Sequence, residues 1–270
     1  MLRYLQFKTL CKLVRGVLVL LFIINGGNVT AQYELGKCLD KVHVGDESRR
    51  KIIILDPGHG GKDSGTISPI TGEEEKDITL DFAKLLKNKL EANGNYAVEM
   101  TREIDVFLSL DDRVRFARIH KGDIFISIHV DAEYGGGVRG ATVYVSSDPK
   151  PDLAHQFDCR YNSNVEILTS KILEDLMVRE TRLLSHYFAE FVSGGLSDVE
   201  DLVVRGDGYS MANFSVLKAP DMPSVLIELG FLSNRQDEEK LTSLLWRERV
   251  SEALIMAIGK FFSIDYEDFS

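Results

Sequence analysis

The chain has 270 residues, 44% hydrophobic and 27% charged, the balance of an ordinary globular protein and not of a disordered, collagenous or repeat-built one. A formal charge of −10 argues against general nucleic-acid binding, which needs Lys and Arg laid on phosphates, and against simple attraction to an anionic cell surface. No Pro/Gly/Ser-rich linker divides the chain, so one domain is expected.

Residues 1–31 read as a signal peptide. Arg3, Lys8, Lys12 and Arg15 form a basic leader without an acid, Val17 to Ile24 is purely apolar, and Val29-Thr30-Ala31 precedes Gln32. The apolar run is short for a membrane span, which needs about 20 residues, so cleavage after Ala31 is expected over an uncleaved anchor. Removal of those four positive charges takes the formal charge from −10 to about −14. The expected destination is outside the cytoplasm, in the periplasm or cell envelope, with no stable membrane span after cleavage. Cys38 and Cys159 could pair or stay free, and no disulfide framework is visible.

Residues 32–50 are a polar leader into a domain over 51–265. Lys51 to Asp56 is a continuous apolar run stopped by Pro57-Gly58, the mark of a strand buried on both faces. Asp77 to Leu90 has Ile78, Phe82, Leu85, Leu86 and Leu90 at helical spacing, ended by Asn93-Gly94. Tyr96 to Met100 reads as a strand. Ser109 with Asp112 resembles a capping box opening a helix to about His120. Asp123 to His129 and Ala141 to Ser146 are further strands around the loop Gly135-Gly136-Gly137. Residues 164–192 form a long helical pattern with a break expected near Glu180. Ser224 to Leu229 is a strand, and 236–262 a last helix. Strands alternating with helices predict a single α/β domain whose central sheet is largely parallel or mixed and flanked by helices.

The six histidines after the leader are His43, His59, His120, His129, His155 and His186. His59 follows the first strand in Leu55-Asp-Pro-Gly-His-Gly-Gly61, and His129 ends another in Ser127-Ile-His-Val-Asp131. Ligands of open α/β sheets collect beyond the carboxyl ends of strands, so two histidines delivered there can converge on one metal. Glu75, at the entrance of the first helix, fits a third ligand; two histidines and a carboxylate with an open fourth position form a catalytic zinc arrangement. Glu228 lies inside the apolar run Ile227-Glu-Leu-Gly-Phe231, where an acid is costly to bury without a partner or a function. Taken singly each has a plainer reading: a loop histidine, a solvated acidic run, a buried salt bridge. The joint placement at element ends is what points to chemistry.

These segments together resemble the zinc-dependent N-acetylmuramoyl-L-alanine amidases, the amidase type 3 family. The resemblance runs through Leu55–Gly65, Gly72 with Glu75-Lys76-Asp77, Thr101-Arg102, Ser109–Arg113, Asp123–Ala132 and Met222–Asn234, in the family's order. It implies a phosphorylase/hydrolase-like fold, one Zn2+ on His59, Glu75 and His129, and Glu228 as the catalytic glutamate. Glu75 is preferred to Glu73 and Glu74 because it directly precedes Lys76-Asp77, as the family's ligand does. The implied reaction is hydrolysis of the amide between the lactyl group of N-acetylmuramic acid and L-alanine of the peptidoglycan stem peptide, in wall remodelling or daughter-cell separation. Asp56 or Asp131 is a candidate acceptor for a ligand histidine. Arg102 and Arg113 are expected to pair with acids, with substrate carboxylates as the alternative.

The segment 147–192 is longer than the compact family pattern requires. Some members carry an inserted helix that covers the zinc and is displaced by an activator protein; here Glu166 and Glu174 are the candidate regulatory acids. A monomer is expected.

Overall fold

The structure, a computed structural model, describes residues 49–133, 135, 137–147, 164–219 and 221–263; inside the helix that starts at 164, the side chains of 164–170, 173 and 174 are outside the description. The leader, Cys38, Cys159, His43 and His155 also lie outside the described residues. Among the described residues no helix is long and apolar enough to cross a membrane.

The elements in chain order are β1 (Lys51–Pro57), α1 (Glu75–Ala92), β2 (Tyr96–Met100), α2 (Leu110–Ile119), β3 (Ile124–Asp131), β4 (Thr142–Ser146), α3 (Asn164–Ser197), β5 (Ser210–Ala212), a 3-10 turn (Ser215–Leu217), β6 (Ser224–Phe231), α4 (Arg235–Thr242) and α5 (Leu244–Phe262). The strands form one six-stranded sheet in the order β2-β1-β3-β6-β4-β5. All neighbours pair in parallel except β4, which runs antiparallel to β6 with Thr142 opposite Glu228. Parallel return needs a crossover of a dozen or more residues. The loop 132–141 between β3 and β4 is too short for one, and β4 runs the other way.

Alternate residues along each strand face opposite sides. One side carries Ile53, Leu55, Ile126, Ile128, Val225 and Ile227 into a large core with Phe82 and Leu86 of α1, Phe188 and Val192 of α3, and Leu254 and Ile258 of α5. The other side carries Ile54, Phe125 and Leu226 into a smaller cluster with Ala117 of α2, Val216, Leu217 and Met222. Each fully buried side chain of this size contributes about 1.5–3 kcal/mol, so the first cluster dominates stability.

Four details differ from the sequence expectation. α1 starts at Glu75 instead of Asp77. β5 is an additional short edge strand, too brief to leave a pattern. α3 runs unbroken through Glu180. The last helix is two, divided at Ser243, whose extended backbone (φ −79°, ψ 119°) and Oγ, accepting from Trp246 N, start α5 afresh. In α2 the cap works as expected on one side only: Ser109 Oγ accepts from Asp112 N, while the Asp112 carboxylate accepts a hydrogen bond from the Ser109 hydroxyl.

The course of α3 fixes where its first half lies. Ser185 Oγ accepts from Ser224 N, at the N-terminal end of β6. Past the helix, Val204 bridges to Ala141, at the opposite end of the sheet. α3 therefore ascends along the sheet from 185 onward. At 1.5 Å per residue, the turns before Ser185 extend about 30 Å away from the C-terminal ends of β1, β3 and β6.

Candidate metal centre

His59, Glu75 and His129 each offer one ligand atom, and these atoms lie within 4.8 Å of one another. Three elements deliver them: the loop after β1, the first turn of α1 and the end of β3. Glu75 sits between the rings, with Oε1 2.9 Å from His129 Nδ1 and Oε2 3.2 Å from His59 Nε2. Its carboxylate is also fixed to backbone, Oε1 accepting from Val130 N and Oε2 from Thr66 N. Glu73 is exposed and Glu74 is the N-cap of α1, which leaves Glu75 as the buried acid of the run. Burial raises the pKa of Glu75, but hydrogen bonds and charge from His129 and His59 outweigh it and bring the group down to about 2.

The loop geometry is specific to this arrangement. His59 has φ +60°, a conformation costly for a residue with a Cβ and typical of functional sites. A Cβ on Gly58 would fall 2.4 Å from the His129 ring, and one on Gly65 would fall 2.5 Å from Glu75 Oε2 and 2.6 Å from the His59 ring. Both glycines make room for the three donors. Two imidazoles and a carboxylate gathered this tightly fit zinc by donor type and number. His59 Nδ1 lies 2.9 Å from Asp63 Oδ2, without meeting it at hydrogen-bond geometry. Burial lowers the His59 pKa, but Glu75 and Asp63 together raise it above its ordinary value.

Glu228 is the register partner of His129 on the neighbouring strand and shares its face. Its Oε2 is sealed from solvent with no hydrogen-bond partner among the described residues. Burial, reinforced by the charges of Glu75 and then Asp131, pushes its pKa well above the usual carboxylate range. A bulge in the β3–β6 pairing follows at His129/Asp131 and ends the regular ladder at the site.

Asp56 and Asp131 hold other partners than a ligand histidine. Asp56 accepts from Thr101 Oγ1 (2.6 Å), Ser127 Oγ (2.8 Å) and Arg113 Nη1 (2.8 Å). Asp131 Oδ1 accepts from Ala132 N. Arg113 thus pairs with an acid, as expected, whereas Arg102 donates to backbone carbonyls. His120 caps α2 through Phe116 O, and His186 meets Tyr209 Oη; neither joins the triad. Asp63 carried no expectation of its own, and only its place inside the glycine-rich loop marks it. Glu166 and Glu174 ride on the half of α3 that leaves the sheet at the end away from the triad, and their side chains lie outside the described residues.

Fold and site together define an α/β domain with a candidate metal centre of the two-histidine, one-carboxylate class and a half-buried acid beside it. Residues 53–260 match the N-acetylmuramoyl-L-alanine amidase family, and the chain belongs to that family. It is 36% identical over 234 residues to the amidase AmiC of Neisseria meningitidis serogroup B, an overlap covering 81% of this chain and 54% of the relative. Among solved structures, the N-acetylmuramoyl-L-alanine amidase from Clostridium difficile 630 is similar with a TM-score of 0.64 at 26% identity, covering 81% of this chain and 100% of that one. The CwlD amidase from Clostridioides difficile, solved in complex with the GerS lipoprotein, gives 0.63 at 26% identity, covering 80% and 100%. The chain spans 52% to 61% of the length of the first curated relatives it matches.

Proposed function

We propose that the protein is a zinc-dependent N-acetylmuramoyl-L-alanine amidase that cleaves the amide between the lactyl group of N-acetylmuramic acid and L-alanine of the peptidoglycan stem peptide. The observation that carries this reading is the pairing of the His59–Glu75–His129 donors with a half-buried Glu228 on the adjacent strand, whose sealed Oε2 has no hydrogen-bond partner among the described residues. Family membership supplies the substrate class. His59, Glu75 and His129 would hold one zinc per chain. Bound there, zinc supplies a Lewis acid for the scissile carbonyl and lowers the pKa of a coordinated water.

Glu228 acts as general base and then general acid. A carboxyl whose pKa burial raises well above the usual carboxylate range suits taking a proton from the attacking water and handing it to the leaving amine of L-alanine. That proton transfer balances the cleavage: the carbonyl carbon gains the water's hydroxyl, the C–N bond breaks, and the nitrogen leaves as a free amine carrying the relayed proton. Glu75 keeps its negative charge down to about pH 2 and so stays a ligand when Glu228 is protonated. Gly58 and Gly65 keep the approach to the rings free of side chains.

The substrate and the basic, apolar leader of residues 1–31 support export to the periplasm or cell envelope, for remodelling of the wall or separation of daughter cells. Regulation through the segment 147–192 is the second part of the proposal. A solved relative is bound to a lipoprotein partner. The backbone of α3 before Ser185 runs away from the end of the sheet that carries the triad. Deletion of 150–180 tests this: raised basal activity supports control by the segment, and unchanged activity argues against it.

The reading as a whole is tested by digesting purified peptidoglycan with the protein, with and without a chelator, and analysing products by mass. Stem peptides with a free L-alanine amine, abolished by chelation and restored by zinc, support it. Products cut elsewhere, or cutting that ignores the chelator, reject it.

A further inference from the structure

Two guanidinium groups lie buried beneath the His59 loop, and they are held differently. Arg113 has an acid, with Nη1 2.8 Å from Asp56 Oδ1, and it donates further to Pro57 O (2.8 Å) and from Nη2 to His59 O (2.7 Å). Arg102 is 3% exposed and has no ion pair with a carboxylate among the described residues. A buried charge without a counter-charge is expensive unless its donors are satisfied.

Its donors are satisfied by backbone. Arg102 Nε donates to Pro57 O (3.0 Å), Nη1 to Ile104 O (3.3 Å), and Nη2 to Gly58 O (2.8 Å), Lys76 O (2.8 Å) and Thr79 Oγ1 (3.2 Å). Thr79 Oγ1 itself donates to Gly58 O at 3.0 Å. Gly58 immediately precedes His59, and Lys76 immediately follows Glu75. One nitrogen therefore joins the two chain segments that carry two of the three metal donors. His59 keeps its left-handed backbone, and strained conformations of this kind persist only where the surroundings over-determine them.

We propose that Arg102 is a positioning residue for the metal centre, bridging the Gly58 and Lys76 carbonyls so that His59 and Glu75 are presented in one geometry. The proposal rests on the reading of the triad as a zinc site. Lysine cannot replace it: a single ammonium lacks the planar fork that serves Pro57, Gly58 and Lys76 at once. Partners that orient metal ligands contribute 10–100-fold to metal affinity, and a loss of about that size is expected for Arg102→Lys.

The experiment is a competition titration of zinc against a chromophoric chelator, on the full-length wild type, Arg102→Lys, Thr79→Val and the exposed control Arg249→Lys on α5, with thermal melts of each metal-free protein. The account expects a zinc affinity about 10–100-fold weaker for Arg102→Lys, a smaller loss for Thr79→Val, none for the control, and metal-free melting within a few degrees of wild type. An affinity equal to wild type, with or without a lowered melting temperature, would show Arg102 to be scaffold only and overturn the proposal. Should Arg102→Lys not fold, Thr79→Val decides, and unchanged affinity there overturns it as well. A wild type that binds no zinc would overturn the zinc reading along with it, whereas equal affinities would remove the clamp alone.

Discussion

Along β3 the even-numbered residues Ile124, Ile126, Ile128 and Val130 are sealed in the large core, while the odd-numbered Phe125, Ser127 and His129 change from apolar to polar to candidate metal donor. The same gradient runs along the thinner face of β1, from Ile54 to Asp56, and of β6, from Leu226 to Glu228. One face is uniform because its only task is to exclude water. The other gives up apolar contact toward the strand ends, where Arg113 of α2 meets Asp56 and the side chains turn polar. Chemistry is placed where the fold loses least by placing it.

That contrast can be broken from either side. The largest effect is expected from His129→Ala, which removes a donor on the thin face: metal analysis should find no stoichiometric zinc, and peptidoglycan turnover should fall to background. Full zinc content in that variant would contradict the site. On the thick face, Phe188→Ala should cost about 3–5 kcal/mol of stability by leaving a cavity, measured by urea denaturation, while zinc affinity of the folded protein stays unchanged. A comparable loss of zinc affinity would mean the faces are not independent.

Gly65→Ala sits at the boundary. Its φ of +65° and the close Glu75 Oε2 predict a cost of about 1–2 kcal/mol together with weaker zinc binding; full retention of both would show the cradle to be slack. The smallest mutational effect is Ser243→Ala, remote from the site, at about 1 kcal/mol for the lost cap of α5, with turnover untouched.

The pH response sharpens the comparison without touching the metal ligands. In the metal-free protein Glu228 has its pKa raised, so the folded state keeps a proton that the unfolded chain releases above about pH 4.5. The group's contribution to stability therefore falls as pH rises from there toward its folded pKa. Glu228→Gln removes that fall, and its stability advantage over wild type should widen as pH rises above about 4.5 in denaturant titrations. A gap that narrows with rising pH would mean that Glu228 is charged in the fold.

The sequence shows the four site residues because each lies at the end of a recognisable run: His59 after Ile52–Leu55, His129 and Glu228 inside apolar strands, Glu75 at a helix start. It shows the thick face equally well, through the helical spacing of Phe82, Leu86 and Leu90. What it does not show depends on contacts distant in the chain. Asp56 reads as a candidate partner for a histidine, but Thr101, Ser127 and Arg113, which engage it, come from three other segments. Arg102 looks like a partner for an acid, and its carbonyl partners are set by how β1, α1 and the loop after β2 meet. The division at Ser243 is local, yet the apolar period continues across it from Leu241 to Val250 and hides the break.

The central claim is that an amide-cleaving zinc site lies on the thin face with Glu228 as its base. The most direct test digests the same peptidoglycan with zinc-loaded wild type and zinc-loaded Glu228→Gln side by side and quantifies released stem peptides by mass. The account predicts equal zinc content and a release slower in the variant by about 10²–10⁴-fold, the range general acid–base catalysis supplies. Equal release from both proteins would contradict it.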